Sequence, residues 1–513
     1  MLPIVFPTVV HMLAATAALH PARRALVMGD IGLDYRELLD AVGGLARELA
    51  GLHGGRTFRC ERIAIVLPNS VEMCIATYAA HALGAQVVPL NPLYTGRELE
   101  AILADAEPAM LIHDAARQAL LAPIVQRLHI AHTVAIDVGG AQLARWMRAA
   151  APLPQPLPGP DDLAFVQYTG GTTGRSKGVN LSHGAVSTNV SQREGLLPTA
   201  REGERILCVM PLFHTYALSM GLHLAAYCGG ALVILPRYHP RDTLQAIANE
   251  GITILPGSPT IFNGLMAHAD FGNTDFSHLH TCYSGSAPLS LETLRRWEAA
   301  VGCPIYEGYG QTEAGPVLTY NPVSGLRKPG SVGIALAQTE VQIVDTESGT
   351  QVLGVGERGE IRARGPQIMR GYRNLPVETA EALRDGWLYT GDIGEIDADG
   401  YLTIRDRKKD MVIVGGYNVY PREVDDVLFM HPAVVDAASV GTPDAYRGEV
   451  LRSFVVLRAE AGTTVEELLA HCAQNLAKYK VPVTITVVDA LPKTAVNKTD
   501  KKVLREDARR AFA

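Results

Sequence analysis

ERIAIVLPNSVEMCIATYAAHALGAQVVPL, residues 61–90, decides the fold. ERIAIVLP (61–68) is a continuous apolar run that stops at a proline, the pattern of a strand buried on both faces. SVEMCIATYAAHALG (70–84) reads as a helix and AQVVPL (85–90) as a second strand. Outward from there the alternation persists. AMLIH (109–113) is strand-like after another short helix. Upstream, DYRELLDAVGGLARELA sets Leu38, Val42, Leu45 and Leu49 at helical spacing behind Asp34 and Glu37, a capping pair. Downstream, LAFVQY (163–168), RILCVMPL, ALVILP and ITILPG supply further strands. Strands alternating with helices predict an α/β fold around a parallel, doubly wound sheet.

APLPQPLPGP (151–160) holds five prolines, yet the alternation resumes after it, so it reads as a stiff surface connection inside one large domain. The pattern changes near YLTIRDRKKDMVIVGG (401–416). Beyond it come short strands (ASVGTP, SFVVLR, ITVVDA) and amphipathic helices (PREVDDVLFMH, TVEELLAHCAQNLAKYK). About 100 residues remain, the size of a small α+β domain. The expected organisation is a large domain over residues 1–405 and a small one over 406–513, with no internal repeat.

The whole chain narrows the classes. Its 513 residues suggest roughly two to four domains and a core that stands without disulfides. Apolar residues at 47%, charged residues at 19% and a net charge of −7 describe a soluble globular protein and exclude a basic nucleic-acid binder. The cysteines at 60, 74, 208, 228, 282, 303 and 472 form no C-x-x-C and are odd in number, which predicts reduced thiols and a cytoplasmic location. MLPIVFPTVVHMLAATAALHP carries no Lys or Arg before Arg23 and has His11 inside, so it reads as an amphipathic first helix rather than a signal peptide. No stretch offers eighteen uninterrupted apolar residues, and no membrane span is expected.

QYTGGTTGRSKGVNLSH (167–183) is at once flexible, hydroxylated and basic. Gly170, Gly171 and Gly174 free backbone N–H groups to turn toward phosphate oxygens, and Thr169, Thr172, Thr173 and Ser176 donate from their side chains. The P-loop spacing is absent, because Gly174 is followed by Arg175 and Ser176 before Lys177. A polyanion at a strand end is the expected ligand.

PLFHTYA (211–217), YSGSAPL (283–289), YEGYGQTEAGP (306–316), WLYTGDIG (387–394), DRKKDMVIVGGYNVYPREV (406–424) and LPKTAVNK (491–498) follow the glycine loop in order. In order and rough spacing the chain resembles the adenylate-forming superfamily of acyl-CoA synthetases, nonribosomal adenylation domains and firefly luciferase. QYTGGTTG, VPLNPLYTGRELE, NPVSG with GSVG, and DRKKDMVIVGGYNVYP bring it nearest to the fatty-acid:CoA ligases. That resemblance implies doubly wound sheets with a small β-barrel-like portion, followed by a mobile C-terminal domain. It also implies ATP, Mg²⁺ and coenzyme A. A carboxylate attacks the α-phosphorus of ATP to give an acyl-adenylate and pyrophosphate, and the coenzyme A thiol then displaces AMP.

By the same resemblance, Thr169, Gly170, Gly171, Thr172, Thr173, Gly174 and Lys177 close over the β- and γ-phosphates. Gly170 and Ser176 stand where many relatives carry Ser and Pro. Ser286, Ala287 and Pro288, with Gly308, Gly310 and Gln311, belong to the nucleotide site, and Tyr309 is the face on which adenine stacks. Thr312 donates to the α-phosphate, and Glu313 is the oxygen ligand for Mg²⁺. Asp392 accepts both ribose hydroxyls and Arg407 also reaches the ribose. Lys498, preceded by Asn where Gly is usual, bridges the incoming carboxylate and the α-phosphate. Lys409 is the hinge, while Lys408 beside it reads as a solvated basic turn. Gly415, Gly416 and Tyr417 form the coenzyme A tunnel, and His214, Tyr216, Met220, Gly285 and Gly310 the acyl pocket.

Other classes fit less well. An acyl-AMP ligase that loads a carrier protein shares the motifs, and GGYNVYP favours coenzyme A over it. An amino-acid adenylation domain would place an Asp where Ala217 and Leu218 stand. A luciferase-like oxidation of the adenylate would be a further specialisation. A serine hydrolase needs G-x-S-x-G, which neither YSGSAPL nor LPGSPT supplies. A non-catalytic nucleotide-binding homologue predicts decay at Lys177, Glu313, Asp392, Arg407 and Lys498, all of which are present. TYALSMGLHLAAYCGG carries no Arg or Lys for a second carboxylate, so a neutral aliphatic or aromatic acid of medium or long chain is the expected substrate. A homodimer is a family-level expectation.

Overall fold

The computed structural model describes residues 3–169, 176–200, 203–414, 417–444, 446–458, 462–494 and 498–511, with Asn418 as backbone alone. Arg62–Val66 and Gln86–Pro89 are parallel neighbours joined by the helix Val71–Ala82, and Met110–Asp114 lies parallel on the other side of Arg62–Val66. Ser70 caps that helix by accepting from the Met73 N–H at 3.1 Å. Every residue of the helix is buried, because it packs against strands of two different sheets. An all-round apolar helix is the form such a position selects.

The first of those sheets has seven strands, in the order Gly371–Tyr372, Lys177–Ser182, Leu163–Thr169, Gln86–Pro89, Arg62–Val66, Met110–Asp114 and His132–Ile136. The glycine loop does leave the end of a strand, but Leu163–Thr169 and Lys177–Ser182 run antiparallel with Thr169 opposite Lys177. It therefore joins a hairpin instead of entering a helix. Gly170, Gly171, Thr172, Thr173, Gly174 and Arg175 lie outside the described residues.

The second sheet has a parallel centre of Arg24–Met28, Ala231–Ile234, Arg205–Cys208, Ile254–Gly257, Thr281–Ser284 and Ile305–Gly310. Its edges, Ile31–Asp34 on one side and Val317–Tyr320 with Ile334–Ala335 on the other, are antiparallel. The helix Tyr35–Leu52 starts on the expected capping box: Asp34 accepts from the Glu37 N–H at 2.8 Å, and Glu37 accepts from the Asp34 N–H at 2.9 Å. The first helix, Val9–Leu19, is less amphipathic than expected, with only Ala18 and Leu19 fully exposed. Its Thr16 hydroxyl donates to the Ala226 carbonyl at 2.6 Å, which seats it in the core.

Two smaller sheets follow. Glu340–Val344, Gly359–Arg364, Trp387–Ile396, Leu383–Arg384 and Leu402–Arg407 form the antiparallel, barrel-like portion around Val332, Ile343, Ile361 and Leu402. The last sheet comprises Tyr417–Val419, Val412–Val414, Gly448–Leu457, Val434–Asp444 and Thr484–Val487. Helices Pro421–Phe429 and Val465–Asn475 cover one apolar face of it, and Lys501–Ala511 covers the other through Leu504 and Ala508. Among the described residues no helix is long and apolar enough to cross a membrane.

His81, His183 and His223 are fully buried. The His81 and His183 rings lie 4.8 Å apart, and His223 Nδ1 lies 3.4 Å from the Tyr78 hydroxyl. Burial holds His183 down to about 4 and His223 down to about 3, so both are neutral in the fold. The unfolded chain protonates them below 6.5, hence it binds more protons than the fold, and stability falls as pH drops from there toward 4. Each histidine contributes a slope of about 1.4 kcal/mol per pH unit in that window. His183→Phe removes one such proton, so its melting temperature should fall less steeply than that of the wild type between pH 6.5 and 4.5, about the window that this linkage sets. Parallel melting curves against pH would contradict this.

Candidate active site

Strand ends build the site. Ile305–Gly310 and Thr281–Ser284 are parallel neighbours, so Gly308, Tyr309 and Gly310 emerge at the same edge as Gly285 and Ser286, the edge at which α/β sheets hold ligands. Two positions there leave no room for a side chain. A Cβ on Gly308 would stand 2.4 Å from the Tyr320 ring, and one on Gly310 would stand 1.9 Å from the Pro316 carbonyl oxygen. Gly285 packs on Tyr216, with 3.2 Å from its Cβ position to the ring. Ser286 adopts a left-handed φ of 68°, and Ala287 and Pro288 carry the chain from there toward the surface.

Tyr309 and Asp392 tie the nine-stranded sheet to the barrel-like one: the phenol donates to Asp392 Oδ2 at 2.6 Å. Asp392 stands opposite Arg407 in the antiparallel ladder, and Arg407 Nε lies 3.7 Å from its Oδ1. Burial raises the Asp392 carboxyl above the usual carboxylate range, against the pull of Arg407, the Tyr309 bond and Lys498. Arg407 is 54% exposed, so that pair is screened.

Glu313 follows Thr312 in the short 3₁₀ turn Thr312–Ala314, which begins after Gln311. Thr312 is buried. Glu313 Oε1 accepts from the Tyr372 hydroxyl at 2.9 Å, and the Lys177 ammonium sits 4.9 Å above the Tyr372 ring. Burial raises the Glu313 carboxyl, while Tyr372 and Lys177 favour its charge. Tyr372 escapes a reading of the sequence. It reaches the site because Gly371–Tyr372 pairs with Lys177–Ser182, a contact across nearly two hundred residues of chain with no local signature.

Two hydrogen bonds tie the Lys498 backbone to Thr494. The Thr494 N–H donates to the Lys498 carbonyl at 2.7 Å, and the Lys498 N–H donates to Thr494 Oγ1 at 3.2 Å. Its ammonium comes within electrostatic reach of Arg407, Asp392, Glu313 and His214. Burial and Arg407 lower it to about 8, whereas Asp392 and Glu313 support its charge. Burial, with Lys498 adding to it, pushes His214 down to about 3. His214 is therefore neutral, and its Nδ1 accepts from the Tyr216 N–H at 3.2 Å, which leaves the ring proton on Nε2. Tyr216 and Met220 are buried behind it, Met220 on the π-helical turn Leu218–His223.

Other candidates stand apart. Tyr417 is 59% exposed and stacks on Tyr479 at 4.6 Å, while Gly415 and Gly416 lie outside the described residues. Lys409 is exposed in the turn Lys408–Asp410. Lys408 is not the solvated residue expected: its ammonium meets the buried Glu360 carboxylate at 2.8 Å. Among the described residues no group of three or more His, Cys, Asp or Glu could hold a metal ion alone. A hard-oxygen carboxylate such as Glu313 suits a cation that arrives already bound to phosphates.

Residues 13–373 match the model of the AMP-binding enzyme family, and residues 423–498 match that of the AMP-binding enzyme C-terminal domain. A long-chain-fatty-acid–CoA ligase of Bacillus subtilis is 36% identical over 99% of this chain and 95% of its own length. A feruloyl-CoA synthase of an Amycolatopsis species is 36% identical over 97% of both chains. The crystal structure of ATP-bound MatB from Rhodopseudomonas palustris superimposes with a TM-score of 0.90 at 32% identity, covering 98% of this chain and 100% of the other.

Asp392 supports the charge of Lys498, so Asp392→Asn should lower the Lys498 pKa below its value of about 8. Carbon-13 NMR of reductively methylated lysines across a pH series reads that shift. An unmoved titration would place the two groups farther apart than this geometry does.

Proposed function

The chain belongs to the AMP-binding enzyme family as an ATP-dependent acyl-CoA ligase, and from that premise we propose a division of labour among its residues. The reaction joins a carboxylic acid to coenzyme A through an acyl-adenylate. Its first barrier is largely negative charge meeting negative charge, so cations and donors held in place are what lower it. Lys498 bridges the acid carboxylate and the α-phosphate, and Thr312 donates to the same phosphate. Lys177 and the glycine loop hold the outer phosphates. Glu313, kept in place by Tyr372, would hold the Mg²⁺ that accompanies ATP. Asp392 binds the ribose hydroxyls, with Tyr309 both its donor and the adenine platform. Neutral His214 presents Nε2–H toward the acid. In the second step the thiol loses its proton to solvent as its sulfur attacks the acyl carbon, the bond from that carbon to the phosphate oxygen breaks, and AMP leaves with the electron pair.

The observation that carries this reading is the convergence of Lys498, from the last segment of the chain, with Asp392, Glu313 and His214 from three earlier segments. A division beside residue 406 with its pivot at Lys409 accounts for the second orientation, in which Gly415, Gly416 and Tyr417 would approach the adenylate. Its support is the exposed Lys409 between two anchored neighbours: Lys408 is paired with Glu360, and Asp410 with Arg505. The substrate is a neutral apolar acid, with fatty acids favoured by the Bacillus relative and aromatic acids by the Amycolatopsis one. All seven cysteines are free, which suits a cytoplasmic enzyme, and a homodimer completes the reading.

A panel of acids from acetate through octanoate and palmitate to benzoate and ferulate tests this, with pyrophosphate and thioester measured separately, with and without coenzyme A. Thioester from one class of acid is expected. Adenylate without thioester would mean a different acceptor, and silence would remove the ligase reading. Lys498→Ala should slow adenylation by about 10²–10³-fold and spare thioester formation from supplied acyl-adenylate. Equal losses in both steps would refute the two-orientation account. In the free enzyme only protonated Lys498 is competent, so kcat/KM for adenylation should decline as pH rises through about 8. Lys498→Arg should abolish the decline, because a guanidinium stays charged.

A further inference from the structure

Lys498 lies three residues before the helix Lys501–Ala511, and that helix sets where the lysine points. Its apolar face, Leu504 and Ala508, packs on Ala438, Val440 and Phe454. Apolar contact alone fixes depth better than it fixes rotation about the helix axis, because it is non-directional. The flank of that same face carries two directed contacts, because residues 501, 504, 505 and 508 share one side of the helix. Lys501 Nζ approaches Asp425 Oδ2 at 3.4 Å, and one turn later Arg505 donates to Asp410 Oδ1. Asp410 is the last residue of the turn Lys408–Asp410 and is only 8% exposed. On the other side of Lys409, Lys408 is held by Glu360 of the barrel-like sheet.

We propose that Arg505 and Asp410 are a positioning pair for the adenylation step, locking the helix behind Lys498 to the segment that leaves the pivot. This rests on the ligase reading and on the pivot at Lys409. With the pair intact, Lys498 and the backbone just past the pivot move as one lever, so rotation at Lys409 delivers the ammonium to one place. Without it the helix keeps its apolar seat and the Lys501–Asp425 contact but loses its tie to the segment that leaves the pivot. Stability is a poor explanation for the pair, since a buried ion pair roughly offsets its own desolvation. Lys501 also lies within electrostatic reach of Asp410 and would still compensate its charge. A displacement of about 1 Å at a reacting group is enough to slow a reaction by about 10²-fold. The effect should be confined to adenylation, because thioester formation does not use Lys498.

The test compares Arg505→Gln and Arg505→Lys with the wild type, with pyrophosphate release and thioester formation from supplied acyl-adenylate measured separately. Arg505→Gln should lower adenylation kcat by about 10- to 100-fold, the scale of a misplaced group, with KM for ATP and the thioester step unchanged. Arg505→Lys, which keeps the charge, should recover most of the rate. An unchanged adenylation rate, equal losses in both steps, or no advantage of Lys over Gln would each overturn the pair's role. If Arg505→Gln melts too low to assay, Asp410→Asn is measured in its place with the same expectation. A wild type that releases no pyrophosphate overturns the ligase reading itself, whereas an active wild type with a normal variant overturns this inference alone.

Discussion

One carboxylate, Asp392, is the point on which the architecture converges. It projects from the barrel-like sheet, takes the phenolic proton of Tyr309 from the nine-stranded sheet, faces Arg407 across its own ladder, and lies within reach of Lys498 from the last segment of the chain. A carboxylate drawn out of water is unfavourable unless donors and cations surround it, so each of these elements is held where it is partly by the others. Burial is what depresses Lys498 and raises Asp392, and their mutual attraction works against both shifts.

The balance of charge is left unfinished. Lys177, Arg407 and Lys498 face Asp392 and Glu313, so the described site holds one cation more than it holds carboxylates. A nucleotide polyphosphate supplies several negative charges at once. It would push the Lys498 ammonium back up from about 8, so binding the nucleotide and taking up a proton are one coupled event.

What the sequence reveals follows from how local each cause is. The strand–helix–strand unit over 61–90 and the Asp34–Glu37 capping box depend on neighbours within a turn or two, and both appear as read. The glycine loop is placed correctly at a strand end, but whether the next strand turns back is decided by pairing, and it does turn back. Tyr372 and Glu360 are invisible for the same reason: each meets its partner, Glu313 or Lys408, only across paired strands or packed sheets. Lys408 in a run of charges looks solvated until that partner is known. The first helix carries few charges to betray a solvent face, and the fold buries most of it. Motif order points to Tyr309, Glu313, Asp392 and Lys498, and only the coordinates reveal that burial lowers Lys498 to about 8.

The strand Arg24–Met28 pairs in parallel with Ala231–Ile234, about 200 residues further along the chain. During synthesis at about 5–20 residues per second, the first strand and the apolar helix before it must wait about 10–40 s for that partner. The seven-stranded sheet lacks only its edge strand Gly371–Tyr372 by the time residue 182 has been made. The second sheet is therefore assembled around an older neighbour, and its earliest strand, paired only with Ile31–Asp34, keeps its other edge open throughout the wait. A ribosome-bound chaperone that shields residues 9–34 over that interval would act on the most widely separated strand pairing among the described residues.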